Sequence, residues 1–159
     1  MPTRRTVLTA AVMAGALAAC TAEGAGSDTV PTSTPDFVAT KRALAAAAAA
    51  VELIDKVTLG HSQRKRALAQ TRSIHVAHLE LLTLPLAEGS VTSEPHLSPG
   101  PPFRGDDRAA YLAVAKEEDL CGQTLRRIAF QAESGQLARV FAGMAAATAQ
   151  QSVVLRGLL

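Results

Sequence analysis

Six consecutive alanines, Ala45 to Ala50, lie within a longer stretch whose larger apolar residues recur at helical spacing. Alanine has the highest helix propensity of any residue, and its methyl side chain lets neighbouring helices approach closely. A second small-residue run, Ala145 to Ala147, falls near the end of the chain. With 3% aromatic residues and no tryptophan, the chain can fill a core only by bringing helix backbones near one another. The expected class is all-α, and 159 residues leave room for one domain.

Four helical segments are legible. Thr34-Pro35-Asp36 has the order of a helix start: a capping hydroxyl, proline in the first turn, then an acid beside the positive end of the dipole. Phe37, Leu44, Ala47, Val51 and Ile54 follow at helical spacing, and Gly60 is a fitting stop. The second segment is expected from about His61 to Leu84, with Leu68, Ile74, Leu81 and Leu82 on its apolar side and Pro85 close behind. Asp106 caps the third, whose stripe reads Ala110, Val114, Glu117, Cys121, Leu125, Ile128 and Ala132. Ser134-Gly135 opens the fourth, with Leu137, Val140, Phe141, Met144, Thr148, Gln151 and Leu155 on one side.

The joints are unequal. Little more than Gly60 separates the first two helices, and Ser134-Gly135 the last two, so each pair forms an antiparallel hairpin. Between the hairpins lies a Pro-rich stretch, residues 85–105. A helix of about 23 residues is ~35 Å long, and about twenty extended residues cover up to ~66 Å. The connection can therefore run the length of the bundle. The expected body is a four-helix bundle over residues 36–159 in the ferritin-like order, two hairpins joined by one long crossover at 85–105.

The first residues carry an address. Arg4 and Arg5 precede an apolar stretch from Val7 to Ala19, too short for a hydrocarbon core that needs about 20 residues. The stretch ends in Leu17-Ala18-Ala19-Cys20, which resembles the bacterial lipobox. That resemblance implies a signal peptide over residues 1–19 and a lipid on the Cys20 thiol. Thr3-Arg4-Arg5-Thr6-Val7-Leu8 is also similar to the twin-arginine export motif, with Thr9 in place of the usual lysine. A Sec-type leader is the other reading. Residues 20–35 are small and polar, rich in Gly, Ser and Pro, and read as a flexible linker. The expected location is the extracytoplasmic face of a cell membrane, held by lipid. Without the leader's two arginines the +2 formal charge falls to zero, which leaves no electrostatic footprint for nucleic acid.

Arg72-Ser73-Ile74-His75-Val76-Ala77-His78-Leu79 and Gly135-Gln136-Leu137-Ala138-Arg139, together with Ala146 to Gln151, resemble actinobacterial lipoproteins with a ferritin-like domain. Activities in that group are mostly unassigned, so the resemblance implies a fold rather than a function.

A ferritin-like di-iron site needs a Glu from each of two helices and Glu-x-x-His from each of the other two. Glu52 lies beside the first stripe, His75 and His78 are three apart on the second helix, and Glu117 falls within the third stripe with Glu118 next to it. The fourth helix breaks the set: Gly135 to Leu159 contains no Asp, Glu, His or Cys. No metal or other cofactor is expected. His75, His78, Glu52 and Glu117 remain the candidates for a mononuclear site, with Cys121 a possible further donor. The blander expectation puts both histidines at the core edge, hydrogen-bonded to water, Glu117 or Glu118, and makes Cys121 a small core residue. Arg64-Lys65-Arg66 opens the second helix as a solvated charged turn or an outward-facing partner site. No nucleophile elbow, phosphate loop or Cys-x-x-Cys is present. The residues favour a non-enzymatic envelope module, whose partners would be the membrane and another envelope protein. The alternative is a metal-binding or metal-dependent redox protein with a degenerate ferritin-like site.

Overall fold

The computed structural model describes residues 34–87 and 100–159. The leader, Cys20, the linker before Thr34, and His96 with most of the crossover lie outside the described residues. Those residues form four long helices: α1 (Pro35–Gly60), α2 (Lys65–Ala87), α3 (Asp107–Gln131) and α4 (Gly135–Arg156). A single 3-10 turn, Ser62–Arg64, precedes α2. No strand occurs among them.

The N-termini of α1, α3 and α4 are made as the residues imply. The Thr34 hydroxyl accepts from the Phe37 N–H at 3.2 Å, Asp106 accepts from Ala109 at 2.7 Å, and Ser134 accepts from Leu137 at 3.4 Å. These contacts satisfy amides that have no partner within their own helix. The second helix departs from expectation at both ends. It begins after the 3-10 turn and runs through Pro85 to Ala87. Proline is costly in a helix interior because it lacks a donor and crowds the carbonyl four residues back. Pro85 is the third residue from the end, so little helix follows it.

Contacts between helix ends fix the topology. The Asp36 carboxylate at the start of α1 accepts from the Glu133 and Ser134 amides at 2.8 and 3.0 Å, at the α3–α4 joint. At the other end of α1, the Phe103 amide donates to the Lys56 carbonyl at 2.9 Å, and His61 Nδ1 lies 2.8 Å from Asp107 Oδ1. α1 and α3 are therefore antiparallel. Leu82 packs with Ala39 and Phe141, and Leu68 with Val57 and Ala110, so α2 runs parallel to α3. The end of α2 and the start of α3 thus lie at opposite ends of the bundle, as a lengthwise connection requires. We call the end where α1 begins proximal and the other distal.

The apolar interior has a proximal part around Leu125, Ile128 and Phe141 and a distal part around Ile54, Leu68, Val114 and Leu155. α1 contributes Ala39, Ala43, Ala47 and Ala50, all buried, which is the close approach that alanine permits. Gly60 brings α1 equally close to the incoming chain: a Cβ there would lie 2.7 Å from the Phe103 carbonyl oxygen.

On α2 the buried face is Leu68, Thr71, His75, His78, Leu79 and Leu82, while Ile74 is half-buried and Leu81 exposed. The i, i+3, i+4 rhythm starting from Leu68 passes through polar residues, so a stripe drawn through apolar side chains alone is rotated away from the true face. No helix among the described residues is long and apolar enough to cross a membrane.

Candidate functional site

The polar residues on the inner face of α2 meet partners from α3 and α4. Thr71 donates to Gln151 on α4 at 3.1 Å. One turn on, His75 Nε2 lies 2.6 Å from Glu118 Oε1 on α3, with both side chains fully enclosed. His78 follows one turn further, its ring edge-on to that of His75 with centroids 5.6 Å apart. On the α3–α4 side, the buried Ser152 hydroxyl donates to Asp119 at 2.6 Å. Asp119 also pairs with Arg156. The bundle thus carries a polar seam across three helices, and α1 covers the interior with apolar residues.

The buried carboxylate is Glu118, whereas Glu117 is half-buried. Adjacent helical residues differ by about 100° in direction, so one position decides which carboxylate enters the core. Glu118 lies on the face of Ala115, Cys121, Gly122 and Leu125, all buried. His75 is fully inside the core rather than at its edge. Arg72 lies outside this cluster and holds Asp55 at 2.7 and 3.1 Å.

The remaining candidates separate. Glu52 lies in an outer groove between α1 and α2 and is bound to Lys56. It does not join the histidines. Among the described residues, no group of three or more His, Cys, Asp or Glu side chains is arranged to hold a metal ion. His75 Nδ1, His78 Nδ1 and Glu118 Oε2 are buried and have no hydrogen-bond partner among the described residues.

Burial governs the electrostatics of this cluster. It lowers the His78 pKa to about 4, and the neighbouring His75 adds to the effect, so His78 is neutral at physiological pH. Burial, then Glu118 and Glu117, push the Cys121 thiol up to about 12. A thiol so held is not a nucleophile at neutral pH. Glu117 is raised by burial and by Glu118, against a smaller opposing effect of His75. Among the described residues, a groove between α1 and α2 and another between α3 and α4 are lined by other side chains than His75, His78, Glu118 and Cys121. The cluster can share a proton inside the core, but neither groove leads a substrate to it.

The basic start of α2 is divided. Arg64 binds Asp107 and lies over the Tyr111 ring at 5.2 Å, while Lys65 and Arg66 are exposed. Arg64 and then His61 hold the Asp107 carboxyl below its ordinary range. His61, Arg64 and Asp107 thereby clamp the distal ends of α1, α2 and α3. The sequence sign for this clamp was an acid in the first turn of α3 opposite a His-x-x-Arg pair, and spacing alone does not connect them.

Taken together, these features define an all-α protein: two helical hairpins enclosing a His–Glu pair. No protein-family model, curated protein or solved structure matches the chain.

Proposed function

We propose that this chain is an exported lipoprotein, cut before Cys20 and anchored by lipid on that cysteine, that displays a ferritin-like helical body outside the membrane. The body acts as a binding or structural module of the cell envelope and not as an enzyme. The observation that carries the reading is Leu17-Ala18-Ala19-Cys20 at the end of a short apolar stretch headed by Arg4-Arg5. The position of the first helix supports it: α1 begins at Pro35, capped by Thr34, fifteen residues after Cys20. The parallel course of α2 and α3 supports the ferritin-like order. The full enclosure of the His75–Glu118 pair, which lines neither described groove, supports a non-catalytic body.

Mass spectrometry of the native product tests the anchor. The expected N-terminal peptide starts at an acylated Cys20. An unmodified Cys20, or residues 1–19 still attached, overturns the reading. The metal-binding alternative has one observation in its favour, the contiguity of His75, His78 and Glu118. Stoichiometric iron, zinc or copper in the purified protein, lost in a His75→Ala/His78→Ala variant, would establish it.

A further inference from the structure

Phe130, in the last turn of α3, is 92% exposed. A phenyl ring in water at the end of a folded body invites a surface that removes it from water. It lines a shallow groove between α3 and α4 with Ala129, Ala138 and Ala142, and with Arg126 and Arg139. Arg127 is exposed on the adjoining turn.

Several cations elsewhere on the bundle are paired: Arg64, Arg72 and Arg156 are each held by an aspartate, and Lys56 by Glu52, while Lys65 and Arg66 at the start of α2 are exposed and pair with no carboxylate among the described residues. Arg126, Arg127 and Arg139 pair with no carboxylate among the described residues. Three acids bear on this corner. Asp119 is close enough to Arg126 for their charges to interact but is bound to Arg156 and Ser152. Asp36 is occupied by the Glu133 and Ser134 amides, and Glu133 is exposed. The corner is apolar at its centre and cationic at its rim.

Its position in the fold says what faces it. The Asp36 contacts hold the α3–α4 joint against the start of α1, so Phe130 lies at the proximal end. Fourteen residues lead from Cys20 to Thr34. A flexible chain of that length has a mean reach of about 20 Å, whereas α1 alone, with 26 residues, is ~39 Å long. A lipid on Cys20 therefore holds the proximal end, on average, nearer the bilayer than the distal one.

We propose that this corner docks on the anionic surface of the bilayer that holds the chain. Phe130 enters the headgroup region, and Arg126, Arg127 and Arg139 bind lipid phosphates. The guanidinium suits that role because its planar donors match phosphate oxygens in pairs. Each arginine near an anionic surface strengthens attachment about 5-fold. Docking turns a loose tether into a fixed orientation, with the distal end and its Lys65 and Arg66 facing outward. The inference rests on the lipid anchor proposed above.

The chain lacks tryptophan, so Phe130→Trp in the full protein is a unique fluorescent reporter. The exposed side chain can be exchanged without disturbing the core, and circular dichroism checks the fold. The purified protein, from whichever fraction holds it, is mixed with vesicles of phosphatidylglycerol or phosphatidylcholine carrying brominated acyl chains. The expected result is a blue shift and bromine quenching on phosphatidylglycerol, reversed by high salt. Weakening of about 25-fold or more in Arg126→Gln/Arg139→Gln is also expected, as is no quenching of Leu112→Trp on the distal half of α3. An unshifted Phe130→Trp on phosphatidylglycerol, with Cys20 acylated, overturns the docking surface and leaves the anchor standing. Quenching with Cys20 unmodified supports the surface and overturns the anchor. Equal quenching on phosphatidylcholine overturns the anionic assignment. A concentration-dependent blue shift without vesicles gives the corner to a second copy and overturns the proposal.

Discussion

Glu118 and His75 are each removed from water completely, and each is the other's only hydrogen-bond partner through the atoms that meet at 2.6 Å. Burying such a pair costs desolvation on both sides, and its mutual attraction offsets this only in good geometry. Removing one partner leaves the other buried without compensation. Glu118→Leu and His75→Leu are each expected to lose about 3–5 kcal/mol, whereas the double variant is expected to approach or exceed the parent. Denaturant titrations of the three variants read the coupling. Single-variant losses that add in the double variant would show that the pair is not a unit.

His78 makes stability depend on pH in a definite sense. Its folded pKa lies at about 4, below the ordinary 6.5, so the folded state resists protonation. Its full contribution is present above 6.5 and is lost as pH falls from 6.5 towards 4, on the order of 3 kcal/mol in all. Glu117, raised in the fold, works in the opposite direction, so the comparison must be with a single-site variant. His78→Gln is expected to remove this part of the acid sensitivity, read as the difference in denaturation midpoint between pH 7 and 4. The two-histidine spacing was legible in the sequence. Which carboxylate entered the core was not, because Glu117 and Glu118 differ by one helical step and the choice depends on how α3 is rotated against α2.

At the scale of elements, helix starts are written locally, since caps act on backbone groups a few residues away, whereas α2 runs through the Pro85 that sequence offers as its stop. Thr34, Asp106 and Ser134 all cap as their chemistry implies. Helix contacts depend on distant partners. Gly122 on α3 faces Thr148 on α4, and a Cβ there would lie 2.9 Å from the threonine hydroxyl. Gly122→Ala is expected to force these helices apart and to cost about 1–3 kcal/mol, despite the higher helix propensity of alanine. Thr148→Ala in the same chain should recover part of the loss. Thermal melts of the single and double variants test this, and an unchanged or raised midpoint in Gly122→Ala would show that the helices accommodate the methyl.

At the scale of the molecule, two hairpins lie so that α2 and α3 run parallel, clamped proximally by Asp36 and distally by His61, Arg64 and Asp107. This arrangement turns the Glu52 carboxylate to the outer groove and keeps His75 and His78 inside. The four residues that sequence offers as metal donors are thereby split between surface and core. Zinc or ferrous ion added to the full protein is expected to move the melting temperature by less than about 2 °C. A site occupied at 100 times its Kd would add about 2.7 kcal/mol, roughly 10 °C for a domain of this size.

The all-α class, the four helices, their caps and the short joints follow from the sequence alone, because they depend on propensity, periodicity and contacts within a few residues. The tertiary structure decided what depends on how helices rotate and pair: His75 buried against Glu118, Glu52 turned outward, Arg64 drawn to Asp107, and Phe130 left in water at the end where α1 begins. A residue's position along a helix fixes its angle relative to its neighbours on that helix. Only the packing of one helix on another fixes which angle points inward.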